Sequence, residues 1–211
     1  MLEAVFFDLD GTLLDAVPDI RAALIGALAD FGYPAVSYEE TVAYVGNGAR
    51  KLIERAAPEG ANIDRILESF AERYAKSDNA LTKVYPGIYE LLSDLKARGV
   101  KLAVVTNKLQ ASTEKVIEKF FPNTFDFVGG DSGAFPCKPD PSLTFYAALT
   151  MRVARKNCLF IGDGETDVLT AKNAGMVGVS VLWGYRSRKV LEEAGALTFI
   201  SQPGELERFL R

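Results

Sequence analysis

The sequence predicts an α/β fold: a Rossmann-like parallel sheet with helices on both faces, joined to a small α-helical module. Three observations carry that reading. Short, β-rich apolar runs alternate with amphipathic helical stretches, the pattern of successive βα units on a parallel sheet. The alternation breaks once, between Asp8 and Lys101, an interval far longer than the roughly dozen residues a crossover requires. The 211 residues are 48% apolar and 25% charged, the balance of an ordinary globular chain able to bury a sizeable core.

Taken in order, the strands are predicted at Ala4 to Phe7, Lys101 to Val105, Phe125 to Val128, Cys158 to Ile161, Val177 to Leu182 and Thr198 to Ile200. Helical spacing marks Ser112 to Phe120, Ser142 to Met151 and Asp167 to Ala174. A helix starting after Pro86-Gly87 and ending near Gly99 serves as the first crossover, which leaves roughly Ala16 to Val84 as surplus. That surplus reads as helical. Pro18 suits a first turn, Ser37-Tyr38-Glu39-Glu40 is a capping box, and Asn62 can cap a helix carrying Ile63, Ile66, Leu67, Phe70 and Tyr74. The predicted organisation is therefore a core of residues 1–15 and 85–211 with an inserted module of residues 16–84.

Charge and composition exclude several classes of function. With 24 basic and 28 acidic side chains the net charge is -4, and no clustered Lys/Arg field exists to attract nucleic acid. The run Arg186-Ser187-Arg188-Lys189 reads as a solvated helix start. Two cysteines, Cys137 and Cys158, form no CxxC motif, which fits free, buried thiols in a reducing compartment, so the expected location is the cytoplasm. The amino terminus lacks the basic region of a signal peptide and no apolar run approaches the ~18 residues of a membrane span, so no membrane partner is expected. Without a single histidine, any chemistry must run on carboxylates, Lys, Ser/Thr or backbone.

Candidate chemistry sits at strand ends, where open α/β sheets bind ligands. Phe7-Asp8-Leu9-Asp10-Gly11-Thr12 places two carboxylates two residues apart; if strand geometry persists they share a face, and a hard cation such as Mg²⁺ would relieve their repulsion. Gly162-Asp163-Gly164-Glu165-Thr166-Asp167 adds a second acidic cluster, although Asp167 also suits a helix cap. Thr106-Asn107-Lys108 offers a hydroxyl, an amide and backbone N–H groups ahead of a helix, suited to phosphate. Lys138 stands on a loop stiffened by Pro139 and Pro141.

In their order along the chain these four segments resemble the signatures of the haloacid dehalogenase superfamily: Asp8-Leu9-Asp10-Gly11-Thr12, Thr106, Lys138, and Gly162 to Asp167. The insert straight after the first signature is similar to the branch in which an α-helical cap closes over the site. Tyr85-Pro86-Gly87, Thr106-Asn107-Lys108, Lys138-Pro139-Asp140-Pro141 and Val45-Gly46-Asn47-Gly48 look like the phosphoglycolate phosphatase group, with a departure at Gly164-Glu165. The resemblance implies a Mg²⁺-dependent phosphatase acting on a small phosphorylated metabolite. Asp8 would be the nucleophile and Asp10 the general acid and base. The metal would rest on Asp8, the Asp10 carbonyl and Asp163, with Asp167 in support. Gly11, Thr106, Asn107 and Lys138 would bind phosphate. Asn47 and Arg50, on a glycine-flanked turn of the cap, are candidate substrate contacts, with an ordinary helix-helix turn as the alternative. A phosphosugar phosphatase or hexose-phosphate mutase is the alternative activity, and a phospho-receiver or binding module a remoter one.

Overall fold

The structure, a computed structural model, describes residues 2–210. Six parallel strands form the main sheet: β1 (Ala4–Phe7), β4 (Lys101–Leu109), β5 (Phe127–Asp131), β6 (Cys158–Gly162), β7 (Val177–Val181) and β8 (Phe199–Ile200), in the spatial order β5-β4-β1-β6-β7-β8. The central strand β1 is buried along its whole length, because residues of alternate parity serve opposite faces. Val5, Phe7, Leu102, Val104, Leu159 and Ile161 pack on one side against α5 (Ile88–Ala97) and α6 (Gln110–Phe120). Ala4, Phe6, Ala103, Val105 and Phe160 face α7 (Ser142–Thr150) and α8 (Glu165–Ala174) on the other, where Ala147, Ala148, Ala171 and Ala174 let the helices approach closely.

Register brings the strand ends together. Phe7 lies opposite both Val104 and Ile161, so Asp8, Thr106 and Asp163 emerge at one edge of the sheet. The predicted strands are present, and β4 runs four residues further than its apolar run suggested because Leu109 pairs with Asp131 after a register shift.

Between β1 and α5 stands a bundle of four helices: α1 (Val17–Ala29), α2 (Tyr38–Tyr44), α3 (Ala49–Ala56) and α4 (Ile63–Lys76). It has its own apolar cluster, including Leu24, Leu28, Ile53, Ile66 and Phe70, distinct from those on the sheet. Its caps are local: Ser37 and Glu40 form a reciprocal capping box, and the Asn62 side chain accepts from the Arg65 amide. The chain leaves and returns through a two-stranded antiparallel ribbon, β2 (Leu14–Asp15) with β3 (Lys83–Val84). Buried Asp19 on α1 fastens the return, accepting from the amides of Leu81 and Thr82 and the Thr82 hydroxyl. The remaining helix, α9 (Arg188–Glu193), lies between β7 and β8.

Candidate active site

Asp8 is the first residue beyond β1, its amide held by the Ile161 carbonyl at 2.9 Å. Its carboxylate accepts from Lys138 Nζ at 2.7 Å, and the same ammonium donates to Asp167 at 2.7 Å. Asp163 begins the turn after β6, and its oxygens accept from the Thr12 hydroxyl and the Tyr185 amide. Among the described residues, Asp8, Asp163 and Asp167 form the one group of three acids whose ligand oxygens lie within 4.8 Å of one another. All three are buried.

Three carboxylates in so small a space carry an electrostatic cost. Burial, then the neighbouring Asp167 and Asp8, push Asp163 up to about 8. Burial also raises Asp167, to about 6, against the pull of Lys138. Burial disfavours the charge on Lys138 itself, but Asp167 and Asp8 outweigh it and hold its pKa above the usual lysine value. One ammonium cannot balance three acids, and an all-oxygen donor set of this charge suits a hard divalent cation. The backbone makes room for the cluster: Gly11 sits at φ +91°, and a Cβ there or at Gly184 would overlap Asp163.

Asp10 is set apart from this trio. Strand geometry stops at Phe7, where the Leu9 carbonyl collects the amides of Thr12, Leu13 and Leu14 in a tight turn; the two aspartates still face one cavity, but Asp10 does not join the acidic cluster. Instead Lys108 Nζ grips Asp10 at 2.8 and 3.1 Å and reaches the Tyr74 hydroxyl on α4 at 2.7 Å. Burial raises the Asp10 pKa while Lys108 opposes the rise. Both aspartates line one cavity of about 60 Å³, floored by the sheet edge and roofed by the bundle.

Thr106 is buried at that floor, its hydroxyl accepting from the Lys108 amide. Asn107, expected to bind phosphate, has its side chain engaged by the protein itself. Its Nδ2 donates to the carbonyls of Lys138 and Gly46 and its Oδ1 accepts from the Lys138 amide, so the side chain positions the lysine loop and the bundle. Of the two candidate contacts on the bundle, Asn47 lies at the mouth beside Asp163 and Asp167, and its side-chain oxygen accepts from Arg55. Arg50 is not brought to the cavity; it pairs with Asp64 on an exposed face.

Several groups at the site went unrecognised in the sequence. Lys108 follows Thr106-Asn107 with no local signal of its own, and Tyr74 reads as one more residue of an apolar helix face. Arg186 corrects the reading of a solvated basic run: its guanidinium donates to the carbonyls of Val42 and Val45 at 2.8 and 2.6 Å and pairs with Glu165 at 3.1 Å. It thereby ties the end of α2 to the acidic turn. Arg188 and Lys189 are the solvated pair, in i,i+4 ion pairs. Of the thiols, Cys158 is buried as expected, whereas Cys137, next to Lys138, is exposed.

A model of haloacid dehalogenase-like hydrolases matches residues 5–181. The chain is 37% identical over 203 residues to phosphoglycolate phosphatase 1 of Pseudomonas aeruginosa, covering 92% of this chain and 74% of that one. It is 38% identical over 199 residues to phosphoglycolate phosphatase of Vibrio parahaemolyticus, covering 87% and 85%. Among solved structures, one from Lactobacillus delbrueckii subsp. bulgaricus superposes with a TM-score of 0.89 at 31% identity, covering 98% and 97%. CbbY from Rhodobacter sphaeroides, in complex with phosphate, does so with a TM-score of 0.78 at 25% identity, covering 98% and 96%.

Proposed function

The chain belongs to the haloacid dehalogenase-like hydrolases, and on that premise we propose that it is a Mg²⁺-dependent phosphatase hydrolysing phosphoglycolate or a similarly small phosphate monoester. The observation that carries the reading is a buried carboxylate, Asp8, held by Lys138 beside two further acids at the carboxyl edge of the sheet. The names of the relatives supply the substrate class.

In this mechanism an Asp8 oxygen attacks phosphorus and the bond to the leaving oxygen breaks, giving an aspartyl-phosphate and an alcohol. Asp10, kept apart from the trio and raised by burial, gives its proton to the leaving oxygen. It then takes a proton from the water that attacks the aspartyl-phosphate, and Asp8 and inorganic phosphate are regenerated. Lys138 and Thr106 balance charge on the transferring oxygens, whereas the Gly11 and Thr12 amides already donate to the Leu14 and Leu9 carbonyls. Asp8, Asp163 and the Asp10 carbonyl would hold Mg²⁺, with Asp167 in support, and when bound it would neutralise charge shared by carboxylate and phosphate. In the same reading residues 1–15 and 85–211 form the catalytic core and residues 16–84 a cap that excludes water. The small roofed cavity favours a compact ester over a hexose phosphate. Two free cysteines support a reducing cytoplasm, and no helix of the described residues is long and apolar enough to cross a membrane.

The test is release of inorganic phosphate from 2-phosphoglycolate with Mg²⁺, its loss with a chelator and its return on adding Mg²⁺. Rapid acid quench of labelled substrate should trap phosphate on the protein in a form that hydroxylamine removes. Full turnover in a metal-free preparation would sink the Mg²⁺ assignment, and a sugar bisphosphate product would favour a mutase.

A further inference from the structure

The roof of the cavity is almost wholly apolar. The bundle presents Ile20, Val45, Leu52 and Phe70 to it, and among the described residues Tyr74 supplies the bundle's one polar side chain there. Tyr74 is 3% exposed, its ring stacked on Phe70 at 5.8 Å, so the hydroxyl cannot swing out to water. Lys108 has donors and no acceptor, so in the 2.7 Å contact the Tyr74 oxygen accepts and its own hydrogen is left to donate. No described residue receives that hydrogen. Burial raises the phenol's pKa above the ordinary tyrosine value, against the pull of Lys108, so the hydroxyl keeps its proton at neutral pH. A buried donor without an acceptor is costly until a ligand supplies one.

Position says what the ligand must offer. Lys108 bridges the Tyr74 hydroxyl and the Asp10 carboxylate through a single nitrogen, so the free hydrogen lies within two hydrogen-bond lengths of the proposed general acid. If Asp10 meets the leaving oxygen, Tyr74 meets an atom one or two carbons further along the alcohol. We infer that Tyr74 is a specificity-determining residue, donating to an acceptor oxygen on the carbon next to the ester carbon of a two- or three-carbon phosphate monoester. A carboxylate, carbonyl or hydroxyl meets that requirement, and the Lys108 ammonium beneath favours a carboxylate. Lys108 is the positioning residue that aims the hydroxyl. The inference rests on the phosphomonoesterase reading, and adds which leaving groups that site accepts.

Two substrates of matched length test it: 2-phosphoglycolate, which carries the acceptor, and ethyl phosphate, which has a methyl group in its place. The quantity read is the ratio of their kcat/KM values. In the wild type it should exceed about tenfold in favour of phosphoglycolate, the scale of a hydrogen bond to a charged group. Tyr74→Phe keeps the ring and its stacking and should collapse the ratio towards one, whatever it does to both substrates in common. Lys108→Met should lower the ratio as well as the rate. An unchanged ratio in Tyr74→Phe, with both substrates slowed equally or neither slowed, overturns the inference and makes Tyr74 a packing residue. Should that variant not fold by circular dichroism, the wild-type ratio decides alone: ethyl phosphate turned over as well as phosphoglycolate overturns it. Turnover of neither ester by the folded, Mg²⁺-supplemented wild type would instead defeat the phosphatase reading itself, and the inference with it.

Discussion

The floor and the roof of the cavity are built on opposite principles. On the floor almost every functional atom is charged and has a named partner: Lys138 serves Asp8 and Asp167, Lys108 serves Asp10, and Thr12 with the Tyr185 amide serves Asp163. The roof is packing, with side chains such as Leu52 and Phe70 shared between the bundle's own core and the cavity. A buried charge network fails when one member is removed, because the partner is left uncompensated, whereas an apolar surface yields by degrees as volume is lost. Changes to the floor should therefore act on chemistry almost all at once, and changes to the roof on stability and selectivity in proportion to size.

The largest effect should come from Asp8→Asn, which keeps the shape but removes the nucleophile. Turnover should fall at least about a thousandfold, on the order of 4 kcal/mol in barrier, while circular dichroism and the unfolding temperature stay near wild type. A variant retaining a tenth of wild-type kcat would remove Asp8 from the nucleophile's place. Next is Lys138→Ala, expected to cost about a hundredfold or more in kcat/KM and to leave Asp8, Asp163 and Asp167 unbalanced. Added Mg²⁺ should then raise its unfolding temperature more than it raises that of the wild type. Equal gains would mean that the lysine carries little of the cluster's charge balance.

On the roof, Leu52→Ala should destabilise the protein by about 2–4 kcal/mol in denaturant unfolding, since Leu52 is 4% exposed. The wider cavity should raise the relative kcat/KM for a bulky aryl phosphate over phosphoglycolate. A loss of all turnover comparable to that of Asp8→Asn would erase the contrast between the two regions. The smallest effect belongs to the bundle's outer surface, where Arg73 and Ser69 hold the Asp30 carboxyl below its usual value of 3.8. A depressed carboxyl pKa stabilises the fold above the ordinary value and is lost as pH falls through the folded one. Asp30→Asn should lower the unfolding temperature slightly at neutral pH, and the gap to wild type should close on acidification below pH 4. A gap that persists at low pH would show that packing, not charge, makes the contact.

The same contrast governs what was legible beforehand. Asp8, Asp163 and Lys138 announce themselves because strand ends, glycines and prolines are local signals, written within a few residues of the groups they present. Arg186, Lys108 and Tyr74 do not. Lys108 meets Asp10 across 98 residues and Tyr74 across 34, and Arg186 meets Val42 across 144. A lysine beside a threonine, a tyrosine on an apolar helix face and an arginine in a basic run look ordinary until the bundle docks. Asn107 is the converse case: a side-chain amide at a strand end suited to phosphate is engaged by the carbonyls of Gly46 and Lys138, from two distant loops.

By itself the sequence determined the alternating βα order, the position of the inserted helices and the residues at the sheet's carboxyl edge, because hydrophobic periodicity and turn chemistry act over a few residues. It also determined that the chemistry would run without histidine. Only the tertiary structure decided which charge pairs with which, that Asp10 stands apart from the acidic trio, and that among the described residues the roof offers a single hydroxyl. Those outcomes depend on how the bundle sits on the sheet, a distance in space that no spacing along the chain encodes.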